Sequence, residues 1–202
     1  IYNAVNTYSA KFSSTASASA CLTKVKNAII SYGNSNGINY WGNSSDNNGF
    51  GLAGLSDLSK SDATFKALVD SAVAFNRTLT NANGASAGDF TYSPDPNADS
   101  TAASLILYSE YGYADLAAAS YAALLTFKTS ATPGAFSYTS ASQPASFYAA
   151  SDALQALINY KAVLIQTSLP TVPDNTGNTV NAGTPATDNT DNNLSSGAKK
   201  KK

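Results

Sequence analysis

The chain has no histidine, no methionine and a single cysteine, Cys21. Each absence removes a chemistry. Without histidine there is no Ser/His/Asp triad and no imidazole to act as base or metal ligand. One cysteine allows no disulfide within the chain, and Cys21, in an Ala/Ser-rich stretch, reads as a small buried hydrophobe. Charge is scarce too: 12 Lys+Arg and 13 Asp+Glu among 202 residues give a net charge of −1. Four of the basic residues are Lys199, Lys200, Lys201 and Lys202, so the body is mildly acidic. Nothing here makes a positive field for nucleic acid or an anionic membrane. No apolar run approaches the ~20 residues that cross a bilayer. Glu110 is the only glutamate, which leaves little for paired-carboxylate glycoside hydrolysis.

What is present is small, polar and aromatic: many Ala, Ser, Thr and Asn, with 12 Tyr, 8 Phe and one Trp. Few charges with abundant Asn, Thr, Ser and Tyr resemble the surface proteins of Gram-positive bacteria, which commonly lack disulfides. An extracellular or cell-surface location is the expectation. The chain opens at Ile1, as expected of one processed or cut from a longer precursor.

Helical periodicity dominates up to Ser168. Leu22, Val25, Ala28, Ile29 and Tyr32 share one face of a helix over Ala20 to Tyr32. Phe65, Leu68, Val69, Ala72 and Val73 do so over Asp62 to Leu79, with Ser61 and Asp62 as candidate N-caps. Further helices are expected over Asp99 to Tyr111, ended by Gly112, over Asp115 to Lys128, and over Ser146 to Gln166. A shorter one is expected over Phe50 to Leu58, and another in the first dozen residues. The prediction is an all-α domain of about seven helices over residues 1–168. From Leu169 the segment LPTVPDNTGNTVNAGTPATDNTDNN has no aromatics and cannot bury enough apolar surface to offset ordering entropy. Residues 169–202 therefore read as a disordered linker ending in a lysine run, either a stalk for wall attachment or a cut end.

The connections Asn34 to Gly49, Thr80 to Asn97 and Ser130 to Pro144 are long, and they carry related elements. Gly88-Asp89-Phe90-Thr91-Tyr92 matches Gly134-Ala135-Phe136-Ser137-Tyr138, and Tyr40-Trp41-Gly42 is a weaker copy. Each precedes a helix opening rich in small residues, including Ala53, Gly54, Ala103 and Ala153. The spacing is roughly 45 to 50 residues, a helical pair plus a loop. A G-x-F-x-Y element followed by a polar loop and a small-residue helix resembles the repeat of the terpenoid cyclase/prenyltransferase superfamily, the α/α toroid. It is closest in flavour to that superfamily's non-enzymatic, secreted bacterial branch, related to the helical domain of transcobalamin. The resemblance covers about Gly33 to Gln166 and implies a partial ring, since a full one in that family has around twelve helices.

The enzymes of that superfamily need residues this chain lacks. The acidic D-x-D-D cluster of cyclases has only Asp95-Pro96-Asn97-Ala98-Asp99 as a counterpart, where Asp99 reads as a helix N-cap. The zinc of prenyltransferases requires histidine. Cys21, in Ser19-Ala20-Cys21-Leu22-Thr23, is no thioester motif. Calcium at Asp46, Asn47 and Asn48 competes with the plainer reading of an Asn/Asp turn. No cofactor and no metal is expected. What remains is recognition: Tyr40, Trp41, Tyr92, Asp95, Tyr138 and Tyr148 as a ligand surface at a common loop end, suited to a glycan, peptide or small molecule. The competing reading makes the loop aromatics hydrophobic plugs. The functional expectation is a non-catalytic binding or adhesion domain, against a fragment of a toroid enzyme or a structural spacer.

Overall fold

Seven helices and one short hairpin make up residues 16–168, the part of the chain that the computed structural model describes. The chain divides into two units, Ile1–Leu169 and Pro170–Lys202. The helix expected in the first dozen residues and the linker expected over 169–202 lie outside the described residues. In order, the elements are α1 (Ala16–Ser31), β1 (Gly33–Asn34), β2 (Gly37–Ile38), α2 (Ser45–Leu52), α3 (Ser56–Ser61), α4 (Ala63–Leu79), α5 (Ala98–Glu110), α6 (Ala114–Leu125) and α7 (Phe147–Ser168). The β1–β2 hairpin is a small departure from an all-α chain.

Side-chain caps set where the long helices begin. Ser44 accepts from Asn47 N at 3.0 Å, Asp62 from Phe65 N at 2.9 Å, Asn97 from Ser100 N at 2.9 Å and Ser146 from Ala149 N at 3.3 Å. Each satisfies an N–H that the first turn leaves unpaired. Asp62 is thus a cap, as its position predicted. Asp99 is not: Asn97 starts α5 two residues earlier, and Asp99 sits inside the first turn. The helix expected over Phe50 to Leu58 is instead two, because Gly54, at φ 74°, breaks it between α2 and α3.

Helix α5 is the hub. Every residue from Ser100 to Ser109 is buried, with Tyr108, Leu105, Ile106 and Leu107 fully so; each of these side chains contributes about 1.5–3 kcal/mol by leaving water. Helices α2, α6 and α7 pack on it. Gly49 of α2 lies directly on the α5 backbone, where an added Cβ would stand 2.2 Å from the Ala103 carbonyl oxygen. At the far ends of the same helices, Glu110 accepts from Gly54 N at 2.6 Å and Ser56 N at 3.3 Å, and Tyr111 OH donates to Leu52 O at 2.8 Å. α2 and α5 therefore run side by side in one direction.

A three-fold repeat is written in the backbone hydrogen bonds. Asn39 N donates to Tyr32 O at 2.7 Å, Ala87 N to Leu79 O at 3.0 Å and Ser137 N to Phe127 O at 2.9 Å. Beside each lies an antiparallel pair, Gly33 with Ile38, Thr80 with Ser86 and Lys128 with Phe136. A second pairing, Asn39 with Asn43, Ala87 with Pro96 and Ser137 with Ala145, closes each loop just before its cap. Ile38, Ser86 and Phe136 are thus equivalent, as are Tyr40, Gly88 and Tyr138. This corrects the sequence registration: the G-x-F-x-Y elements at 88–92 and 134–138 are out of step by four residues. The second begins before the paired segment, whereas the first begins at its end.

Candidate functional site

The loops gather at one end because the starts of α2 and α5 are each stitched to the loop of the following repeat. Ser45, at the start of α2, donates its N–H to Gly88 O at 2.8 Å and its hydroxyl to Ala87 O at 2.7 Å. Ala98, at the start of α5, donates to Tyr138 O at 2.8 Å. Between the paired segments the chain makes free excursions over residues 40–42, 88–95 and 138–144. The first two excursions both line a cleft of about 520 Å³, within the size range of small-molecule sites.

The first wall is Tyr40 and Trp41. Asn47, in the first turn of α2, donates Nδ2 to both Tyr40 O at 2.7 Å and Gly42 O at 2.8 Å, gripping the backbone on either side of Trp41. Trp41 is held at φ 60°, the one non-glycine residue described with a positive φ. A bulky side chain in this region costs about 1–2 kcal/mol. The indole projects outward, 92% exposed, with the Tyr40 ring 4.5 Å away. Tyr40 is braced edge-on by Tyr32 at 5.1 Å.

The second wall is Phe90 and Tyr92. Asp89 Oδ1 accepts from Tyr92 N at 2.5 Å, Thr91 N at 2.6 Å and Ser93 N at 3.3 Å, which coils the excursion into a tight turn. Phe90 packs edge-on against Phe75 at 6.0 Å, and Tyr92 is left 93% exposed. In the third loop Ala135 follows the glycine where Asp89 does in the second, and Phe136 is a plug, only 4% exposed. The plug reading of the loop aromatics holds for Phe136 and fails for Phe90, Tyr92 and Trp41.

Of the residues expected to form a ligand surface, Tyr40, Trp41 and Tyr92 meet in this cleft. Tyr138 is exposed in the third loop, Tyr148 is exposed in the first turn of α7 against Phe147, and Asp95 is exposed at the end of the second excursion; none of the three lines the cleft. Asp46, Asp89, Phe75 and Phe90 line it as well. Asp89 carried a sequence signal, since a Gly-Asp before two aromatics is a turn-former. Phe75 carried none, because its helical periodicity is indistinguishable from a core residue's.

Carboxylates surround the helix starts. Burial raises the Asp46 carboxyl above its ordinary range; the Ser100 and Ser45 hydroxyls pull it down, and Asp152 and Asp89 push it up. Asp99 is raised to about 6 by burial and by the charges of Asp152 and Asp46. Its Oδ1 is buried without a hydrogen-bond partner. Burial raises Asp152 as well. Burial also works on Asp89, but the N–H groups of Tyr92, Thr91 and Ser93 outweigh it and hold the carboxyl below its usual range. The Asp46-Asn47-Asn48 segment is helical, not a calcium turn. Asn48 is fully buried, with Oδ1 accepting from Ile38 N and Nδ2 donating to Asn36 O and Asn76 Oδ1. Among the described residues no cluster of three or more acidic, cysteine or histidine side chains has the geometry to hold a metal ion, and no helix is long and apolar enough to cross a membrane.

No family model matches the chain, and no curated protein and no solved structure matches it either.

Proposed function

We propose that this chain is a non-catalytic binding domain of an extracellular or cell-surface protein, and that its ligand is a glycan held in the cleft between the first two loops. One observation carries the reading: Trp41 and Tyr92, which line the cleft from the two loops, are 92% and 93% exposed. Large aromatic rings left in water by a folded chain mark an interaction site. Their faces suit the C–H faces of a pyranose, and the surrounding Asn, Ser, Thr and Asp groups suit its hydroxyls. The strained backbone at Trp41 supports the same view. The fold holds a destabilising conformation there, and its effect is to present the indole.

For the architecture, the three-fold hydrogen-bond repeat supports an open arc of α/α toroid type, in which α2, α5 and α7 form the inner row. Phe147, Leu154 and Ile158 are exposed along α7, on a surface that no other described helix covers.

Trp41 is the only tryptophan in the chain, so its fluorescence reports on the cleft alone. Titrating the full chain with neutral, basic and acidic oligosaccharides should produce a saturable blue shift with at least one class. An emission spectrum that no class moves overturns the glycan reading.

A second reading has its own observation. Asp99, poised near pH 6 beside Asp46 and Asp152, has the ionisation a general acid needs, which favours a fragment of a toroid enzyme. Asp99 is not among the residues lining the aromatic cleft, although Asp46 beside it is.

A further inference from the structure

The charge around the cleft is one-sided. Asp46 and Asp89 line it, and no lysine or arginine does. Lys26, Lys60 and Lys66 are engaged elsewhere, with Asp62, Asp57 and Asp70. Two of the amide donors at the cleft are already used: Asn47 Nδ2 holds the carbonyls of Tyr40 and Gly42, and Asn43 Nδ2 holds Asn34 Oδ1 and Ile38 O. On Asp89, Oδ1 is filled by three backbone N–H groups, and Oδ2 has no hydrogen bond among the described residues.

Among the described residues, an anionic sugar entering this cleft meets the carboxyls of Asp46 and Asp89 and no lysine or arginine. A cationic group meets both of the attractions that the walls offer, ring faces and carboxylate oxygens. The rings do not form an enclosed box around a bare quaternary ammonium, since Trp41 and Tyr92 stand open to solvent. They are platforms, as wide flat ligands need.

We propose that the cleft binds a hexosamine unit with a free amino group, the pyranose faces stacking on Trp41 and Tyr92 and the ammonium pairing with the carboxylates of Asp46 and Asp89. This rests on the glycan reading of the cleft and adds the charge of the sugar.

The test uses the full chain, with Trp41 fluorescence and calorimetry as readouts. The ligands are a glucosamine tetramer, its fully N-acetylated counterpart, a neutral glucose tetramer, a galacturonate tetramer and choline. The glucosamine tetramer should bind about tenfold or more tighter than the N-acetylated one, with no binding of galacturonate. Raising the salt to about 0.5 M should shrink that gap, because exposed ion pairs are screened. An Asp46→Asn/Asp89→Asn double variant should shrink it too. Equal or better binding of the N-acetylated tetramer, an amine preference that survives in the double variant, or choline binding as tightly as the oligomer overturns the inference and leaves the glycan reading standing. Silence from every oligosaccharide overturns both.

Discussion

Asn48 and Asn76, both fully buried, share an amide–amide hydrogen bond of 2.9 Å that ties α2 to α4. Asn48 Oδ1 also accepts from Ile38 N at 2.7 Å, and Asn76 Nδ2 reaches Ser45 O at 3.3 Å and Ser104 Oγ at 3.1 Å. The pair thus joins the first loop to three helices, beneath the wall that carries Tyr40 and Trp41. A satisfied buried network of this kind fixes geometry as well as stability.

Removing one member leaves the other's polar atoms unpaired in the core. Asn76→Ala should destabilise the fold by about 1–3 kcal/mol, read as a lower midpoint in urea. The Asn48→Ala/Asn76→Ala pair should cost clearly less than the sum of the single variants, since both break the same bond.

Two glycines of α2 should answer oppositely. A Cβ on Gly49 meets the Ala103 carbonyl oxygen at 2.2 Å, so Gly49→Ala must push the two helices apart and should cost on the order of 1–3 kcal/mol. At Gly51 the nearest atom is Ile38 Cγ1, at an ordinary 3.6 Å. Gly51→Ala should be neutral or stabilise by up to about 1 kcal/mol through helix propensity. Thermal melts of the two variants check both.

Stability should fall as the solution is taken from mildly acidic to neutral. Asp46, Asp99, Asp152 and Glu110 all have raised carboxyls in the folded chain. The folded state therefore holds protons that the unfolded state releases above about pH 4, and that advantage is lost as pH rises through their folded values, for Asp99 about 6. Asp62 and Asp89, held low, act in the opposite sense, and their contribution is lost only as pH drops below the ordinary carboxylate range. The midpoint should peak at about pH 4, near the ordinary carboxylate value. Asp99→Asn should raise it at pH 7.5 and flatten the descent; a melt series across pH reads both.

Much of the helical frame was legible in sequence because periodicity and caps are local signals. Asp62, Gly112 and the apolar face from Phe65 to Val73 all do what their spacing announced. The start of α5 was not, because Asn97 and Asp99 are both cap residues by type, and only the packing of Ala98 against the third loop decides between them. The repeat was visible, but its register was misleading. Phe90 and Phe136 match as letters, yet one is exposed and the other buried, since equivalence is set by the backbone pairs at Ser86 and Phe136. Of the cleft, the aromatics were legible as candidates. Their meeting depends on Ser45 binding Gly88, a contact between distant residues that no local pattern encodes.

Trp41 separates stability from recognition. Glycine adopts φ 60° without strain, so Trp41→Gly should leave the thermal midpoint unchanged or raise it slightly. It should also remove one wall of the cleft. A lower midpoint would mean that the indole supports the fold, contrary to its 92% exposure.

The most direct measurement is calorimetric titration of an oligosaccharide that shifts Trp41 emission into two pairs of variants of the full chain. Trp41→Gly and Tyr92→Ala should each lower the affinity by about tenfold or more, as the loss of a stacking face implies, with far-UV spectra unchanged. Tyr138→Ala and Tyr148→Ala, outside the cleft, should bind as the parent does. Undiminished binding by the first pair, or its loss in the second, would contradict a site between the first two loops.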